Sequence, residues 1–262
     1  MLSKSKVNVI QSVSRAIQII RCFENYEELG VTEISKMAGL HKSTAFGLIA
    51  TLEANKLIEK NEHTGKYRLG LELFRLGTKV NSTLRHITVP YLEQLVKMYQ
   101  ETVNLVVIDD LSVIYLEKVE SKRSMNISTM VGGRLPLYCT AVGKAIMAGL
   151  PSNELNNKLE RMEFRKYTNN TASDKNSIMK SLELIRSKGY AEDNEELEIG
   201  LSCIAAPIYN HFNIPFAAIS LSGPTSRMSE HLRKEISVTL MNYTREISMK
   251  LGCNKFKEES KW

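Results

Sequence analysis

Two sets of residues in this 262-residue chain have types and spacings that could do chemistry. The first begins with Lys42-Ser43-Thr44, continues through Phe46 and Gly47, and ends with Lys60, Lys66 and Arg68. Hydroxyls and cations this close together suit contact with a polyanion, the hydroxyls reading bases and the cations meeting phosphates. The second set would have to supply a nucleophile, a base or a metal site, since Cys, Ser, Asp and His are all present. It fails each test. Gly143-Lys144-Ala145 has the Gly-Lys pair of a phosphate loop, but Tyr138 stands where the first glycine is needed and no Ser or Thr follows. No His-Glu-x-x-His, Gly-x-Ser-x-Gly or dinucleotide fingerprint occurs. His211 and His231 fall in a turn and at a helix start, and Cys203 would need a base that the sequence does not show. Cys22, Cys139, Cys203 and Cys253 are too scattered for metal-ligand pairs or a disulfide framework, so reduced thiols are expected. No catalytic residue, metal or cofactor is expected.

The first set needs a helix to present it. Thr32 can cap a helix carrying Ile34, Met37 and Ala38 on its apolar face, and Gly39 ends it. Leu40 plugs the turn, and a second helix from about His41 to Asn55 places Ala45, Leu48, Ile49 and Leu52 on one buried stripe. Two helices joined by so short a turn are the bihelical unit whose second helix enters a DNA groove. Ser43, Phe46, Gly47 and Ala50 lie opposite the stripe, with Lys42 and Thr44 beside them. Lys56 to Lys60 and Lys66 to Leu69 form two short strands around a polar turn ending in Gly65, a wing that carries Lys60, Lys66 and Arg68. The alternative is a plain three-helix unit used for protein contact.

Charge supports the first reading. Residues 1–88 hold 13 basic and 8 acidic side chains, a net of +5, whereas residues 89–262 hold 22 and 21, a net of +1. The positive balance lies with the reading head, as a footprint for a polyanion would. The chain is long enough for a small head and a larger second domain. No apolar run approaches the roughly 18 residues of a membrane helix. Met1 to Lys6 lack the apolar segment of a signal peptide, and a cytoplasmic location is expected.

Before the head, Val13, Ala16, Ile17, Ile20 and Phe23 make the packing face of a first helix. After the wing, Leu69, Leu73, Leu76, Val80 and Leu84 mark a linker helix from about Leu71 to Arg85, whose stripe extends past the head and suits either a second chain or packing on its own domain. Pro90 suits the first turn of the next helix, with Leu92, Leu95, Val96 and Tyr99 facing inward. From Thr102 the texture becomes strands: a hairpin of Val103 to Ile108 and Ser112 to Val119, then Met125 to Val131, broken by Gly132-Gly133. Cys139 to Leu150, Ser152 to Arg161 and Ser173 to Ser187 are helical, Ser202 to Asn210 and Phe216 to Ser222 are strands, and Glu230 to Leu251 closes the chain as a helix. Ser220 and Ser222, two apart on a strand, turn both hydroxyls to one side. The fold class is α+β, with a mainly antiparallel sheet in the second domain.

This order meets a specific run from Gly189 to Tyr209, with Glu195-Glu196-Leu197-Glu198-Ile199-Gly200-Leu201 at its centre and Ala205-Ala206-Pro207-Ile208-Tyr209 at its end. The run closely resembles the signature of the IclR family of bacterial transcriptional regulators. Lys42-Ser43-Thr44, Thr64-Gly65-Lys66-Tyr67-Arg68-Leu69-Gly70, Leu135-Pro136-Leu137, Gly143-Lys144-Ala145 and Ala217 to Pro224 resemble the same family in the same order, over about residues 8 to 250. One departure is Gly47, where the family often carries an arginine. Glycine weakens an exposed helix by about 0.5 to 1 kcal/mol, and either close approach to DNA or a kink would account for it. Phe46 beside it either meets a thymine methyl or packs under the wing.

The resemblance implies a winged helix-turn-helix domain at 8–70, a linker helix at 71–88 and an effector-binding domain at 89–252. It implies a DNA-binding regulator, a repressor, whose grip on a pseudo-palindromic operator responds to a small carboxylate effector, acting as a homodimer or dimer of dimers. By the same resemblance Asp193 and Cys203 reach the effector pocket. Ser220 and Ser222 suit it, Leu135, Ala141, Val142 and Leu201 would wall it, and the amides near Thr140 to Gly143 could receive an anion. Packing alone would also select small residues at Ser220, Cys203 and Ala141. The alternative function is a metabolite-sensing protein-interaction module with a vestigial head.

Overall fold

A computed structural model describes residues 9–123 and 129–256. The chain divides after Ser82 into two compact units. Met1 to Lys6 and most of the strand expected at Met125 to Val131 lie outside the described residues; the part of that strand that is described, 129–131, is not a strand.

The first unit holds α1 (Gln11–Arg21), α2 (Val31–Met37), α3 (Lys42–Ala54), β1 (Ile58–Lys60), β2 (Tyr67–Leu69) and α4 (Leu71–Gly77). Ile19, Phe23, Ile34, Ile49, Leu52, Ile58 and Tyr67 form its core. The stripe of α3 packs as its spacing requires, with Ala45 and Ile49 fully buried. Gly39 turns the chain between α2 and α3 at φ +62°, a left-handed conformation that a side chain resists. β1 and β2 pair antiparallel, and Leu29 bridges to Tyr67, so the wing is tied to the segment before α2.

Three local expectations change. Gly30, not Thr32, is the N-cap of α2, and its N–H is taken by the Glu33 carboxylate at 2.7 Å. Met37 is 48 % exposed and faces away from the core. Of the face expected on α1, Ala16 and Ile20 pack on the core together with Ile19, and Phe23 joins it from the turn after the helix, while Val13 and Ile17 are exposed, because the apolar residues of this helix cover more than one face.

The linker is not one helix. α4 stops at Gly77, the chain turns through Thr78 to Asn81, and α5 runs from Ser82 to Tyr99. Asn81 sits at φ +49°, which asparagine tolerates better than most residues and which an α-helix cannot contain. Pro90 therefore lies inside α5 rather than opening a new helix, on its exposed side, where the lost backbone bond faces water.

The second unit contains α5, β3 (Thr102–Asp109), β4 (Ser112–Val119), β5 (Arg134–Pro136), α6 (Ala141–Ala148), α7 (Ser152–Arg161), α8 (Lys175–Lys188), β6 (Ala191–Asn194), β7 (Leu201–Tyr209), β8 (Pro215–Pro224) and α9 (Glu230–Lys250). The strands form one antiparallel sheet in the order β5-β4-β3-β8-β7-β6. Strand alternation sorts the residues onto two faces. Val103, Leu105, Ile204, Ala206, Ile219 and Leu221 meet α5 and α9. Val106, Tyr115, Ala191, Ala205 and Ala218 meet α6, α7 and α8. The fold is α+β: a helix-turn-helix head in the first unit and, in the second, a sheet between two layers of helices. Among the described residues no helix is long and apolar enough to cross a membrane.

Candidate functional site

In the head, Lys42, Ser43, Thr44, Phe46 and Gly47 all stand exposed on α3, opposite its buried stripe. Phe46 is 58 % exposed and lies outside the core, so it is not packed under the wing. α3 runs unbroken through Gly47, whose carbonyl accepts the Thr51 hydroxyl at 2.9 Å. A Cβ built at Gly47 would meet nothing within 4 Å. Packing therefore does not require glycine there, and the helix shows no break.

Lys60, Lys66 and Arg68 are exposed on the wing. Arg68 pairs with Glu59 at 2.7 Å and Lys66 with Glu33 at 3.7 Å; Lys60 has no ion pair among the described residues. What holds the wing turn has no local signature. Glu28 accepts the Asn61 amide at 2.6 Å and the Thr64 hydroxyl at 2.9 Å, and these bonds hold its carboxyl below the usual carboxylate range.

In the second unit, Leu135, Ala141, Val142, Asp193, Leu201, Cys203, Ser220 and Ser222 all line one cavity of about 570 Å³. Sheet register explains how residues from distant parts of the chain converge. Asp193 pairs with Cys203, Cys203 with Ser222 and Ser222 with Thr102, one row across four strands. Two residues along, on the same face, Ala205 pairs with Ser220 and Ser220 with Asn104. Cross-strand partners face the same side, so Asp193, Cys203, Ser222 and Ser220 come together on one face as the cavity floor.

The start of α6 forms a wall. Thr140 caps this helix by accepting the Gly143 N–H at 3.2 Å, and the amides of Ala141 and Val142 precede the first intrahelical bond. A Cβ at Gly143 would collide with the Leu137 backbone, so this glycine is fixed by close approach. Lys144, 3 % exposed, pairs with Glu196 in the loop between β6 and β7. That loop is the cavity's lip: Leu197 to Gly200 line it. Its root is held by Thr168, whose hydroxyl donates to the Glu195 carbonyl at 2.6 Å, and by Thr171, which donates to the Glu196 carbonyl at 2.5 Å.

Asp193 is 2 % exposed, and burial pushes its carboxyl up to about 7 against the pull of the Glu196 N–H, which it accepts at 2.8 Å, and of the nearby Lys144 charge. Burial also raises the Cys203 thiol far above its ordinary range, with the Asp193 charge adding to the effect. A thiol held neutral is a poor nucleophile. Among the described residues no cluster of three or more His, Cys, Asp or Glu side chains could hold a metal ion.

Thr140, expected there through its neighbouring amides, also lines the cavity, and Tyr115, Thr129, Leu197 to Gly200 and Pro224 complete the lining without having been assigned to the pocket from the sequence. The wide spacing of these residues gives no local pattern. Only register brings them together.

Residues 78–249 match the family profile "Bacterial transcriptional regulator IclR C-terminal", and residues 12–62 match "IclR helix-turn-helix domain". The HTH-type transcriptional regulator XynR of Escherichia coli is 39 % identical, over 85 % of this chain and 89 % of the relative. The transcriptional repressor IclR of the same organism is 30 % identical, over 93 % of this chain and 90 % of the relative. A crystal structure of an IclR homologue from Microbacterium hydrocarbonoxydans complexed with 4-hydroxybenzoate shares the fold, with a TM-score of 0.83, 21 % identity and coverage of 92 % of this chain and 98 % of that one.

Proposed function

This chain belongs to the IclR family of bacterial transcriptional regulators, DNA-binding proteins and not enzymes, and from that premise we propose that it is a cytoplasmic repressor released or recruited by a small organic acid. The cavity carries the effector half of the reading. It gathers six hydroxyl- or thiol-bearing residues, a buried carboxyl, an apolar wall and the first-turn amides of α6, the mixture a small polar metabolite needs. The carboxylate would meet the amides of Ala141 and Val142, where the helix start favours negative charge. Ser220, Ser222 and Asp193 would hydrogen-bond the remainder, with Leu135, Leu201 and Cys203 against its carbon skeleton. That a neighbour of the same fold holds 4-hydroxybenzoate supports an acid of this kind.

On the output side, Ser43, Thr44, Phe46 and the open backbone at Gly47 would meet base edges, while Lys42, Lys60, Lys66 and Arg68 would meet phosphates. One helix reads too few bases, so a pseudo-palindromic operator and a homodimer or dimer of dimers complete the proposal. Exposed apolar residues support association. Val13 and Ile17 on α1 and Leu71 and Phe74 on α4 are 46 to 77 % exposed, apolar side chains that a second copy would cover. The domain boundaries of this reading are 8–70 for the head, 71–88 for the linker and 89–252 for the effector domain.

The test is gel retardation of a duplex selected from random DNA by the full chain, repeated with small organic acids at millimolar concentration. Selective retardation that an acid changes is expected. No preference over scrambled competitor at moderate salt overturns the regulator reading, and retardation indifferent to every acid overturns the effector reading.

A further inference from the structure

Directly behind two residues that line the cavity, Ser220 and Thr129, the sheet places one more polar side chain. Asn104 on β3 is fully buried, lies opposite Ser220 in the sheet and faces the same side. Its Oδ1 accepts the hydroxyl of Thr129 at 2.8 Å, and Thr129 lines the cavity. Its Nδ2 has no hydrogen-bond partner among the described residues. A buried amide donor left unmet is disfavoured by roughly 1 to 3 kcal/mol, and such groups are rare outside functional sites.

Thr129 is fixed from two directions. Asn104 takes its hydroxyl proton, and the ammonium of Lys118, the β4 residue paired with Asn104, donates to its carbonyl at 2.8 Å. A hydroxyl that spends its proton on Asn104 has only lone pairs left for the cavity. Asn104 thus sets the polarity of Thr129 while holding a donor of its own in reserve.

We propose that Asn104 and Thr129 form a second reading point of the effector cavity, recognising an oxygen substituent, hydroxyl in preference to hydrogen, on the carbon skeleton of the acid. A ligand hydroxyl would donate to Thr129 and accept from the Asn104 amide, which satisfies the stranded donor. An alkyl hydrogen would leave both groups unmet, and that asymmetry gives discrimination. The inference rests on the effector reading above and adds to it the class of acid: hydroxylated rather than plain.

The experiment is calorimetric titration of the full chain with butyrate and with its 2-, 3- and 4-hydroxy derivatives, in wild type, Asn104→Leu and Thr129→Val. One hydroxybutyrate should bind about 10-fold more tightly than butyrate, the factor one net hydrogen bond supplies. In both variants that preference, the ratio of hydroxybutyrate to butyrate affinity measured in the same variant, should fall below about 2-fold. Thermal unfolding separates reading from scaffolding. Asn104→Leu removes a stranded amide and should leave the melting temperature unchanged or raised, whereas a residue that only props up Thr129 would lower it. Hydroxy acids that bind no better than butyrate, or a preference that survives in both variants, overturn the proposal and leave the effector reading intact. If no acid binds to wild type, both fall.

Discussion

Lys144, buried, and Glu196, partly buried, form an ion pair that ties the helix at the cavity wall to the loop at its lip. The Lys144 ammonium sits in an element whose residues are all buried, so it has little water to turn to. Removing one partner strands the other. Lys144→Met and Glu196→Gln are each expected to destabilise by about 3 to 5 kcal/mol, and Lys144→Met with Glu196→Leu to recover most of it. Urea unfolding of the three variants measures this; two single losses that simply add in the double variant would mean the charges do not depend on each other.

Two helical glycines should respond to alanine with opposite signs. At Gly143 the added methyl meets the Leu137 backbone, so α6 must move, and a loss of about 1 to 3 kcal/mol is expected together with weakened effector binding. At Gly47 the methyl meets nothing, so alanine should raise helix stability by about 0.5 to 1 kcal/mol. Calorimetric melting of both variants decides it. If Gly47→Ala also weakens operator binding, the glycine serves DNA approach rather than folding.

Asp193 makes stability and binding depend on pH. Its folded carboxyl titrates near 7 because it is buried, while in the unfolded chain it titrates near 4. The folded state therefore holds this proton more tightly. The contribution to stability is complete below about pH 4 and is lost as pH rises to about 7, on the order of 4 kcal/mol in all. A carboxylate effector also meets a neutral Asp193 more readily than a charged one, so affinity should rise as pH falls through 7. Asp193→Asn should flatten both profiles, and a variant that keeps the wild-type pH dependence would place the titrating group elsewhere.

These groups also mark what the sequence made legible. Periodicity located the elements of the head and the α3 stripe, because a helix that buries one face must repeat every three to four residues. Family resemblance pointed to Asp193 and Cys203, and strand alternation put Ser220 and Ser222 on one side; all four line the same cavity. What escaped depends on tertiary geometry. Nothing local told that Asn104 would stand beside Ser220, that Lys144 would be buried, or that α1 would leave Val13 and Ile17 in water. Asn81 was the one missed local signal, a residue suited to positive φ in the middle of an otherwise continuous apolar stripe.

The exposed faces of α1 and α4 should hold two copies together. Phe74, 72 % exposed, is the largest side chain on α4 and makes no core contact in its own unit. Phe74→Glu and Val13→Glu would place charge into an apolar contact and are expected to shift the chain toward smaller species at micromolar concentration. Light scattering after size exclusion reads the mass. Unchanged mass in both variants would locate the association elsewhere.

The wing cations should not contribute equally to DNA binding. Each cation that neutralises a phosphate steepens the salt dependence of binding by about 0.9 in log–log slope. Lys60 has no carboxylate to give up among the described residues, whereas Lys66 must leave Glu33 and Arg68 must leave Glu59. Exposed pairs are weak, so the exchange is possible but reduces the gain. Lys60→Ala should therefore weaken binding to every duplex about equally and lower the salt slope by nearly 1, with Lys66→Ala and Arg68→Ala showing smaller falls. Ser43→Ala and Thr44→Val should instead narrow the gap between operator and scrambled DNA while leaving the slope in place, because base contacts carry sequence information and phosphate contacts do not. Fluorescence anisotropy at four salt concentrations separates the two effects. If Ser43→Ala lowers the slope as much as Lys60→Ala does, α3 lies along the backbone rather than in the groove.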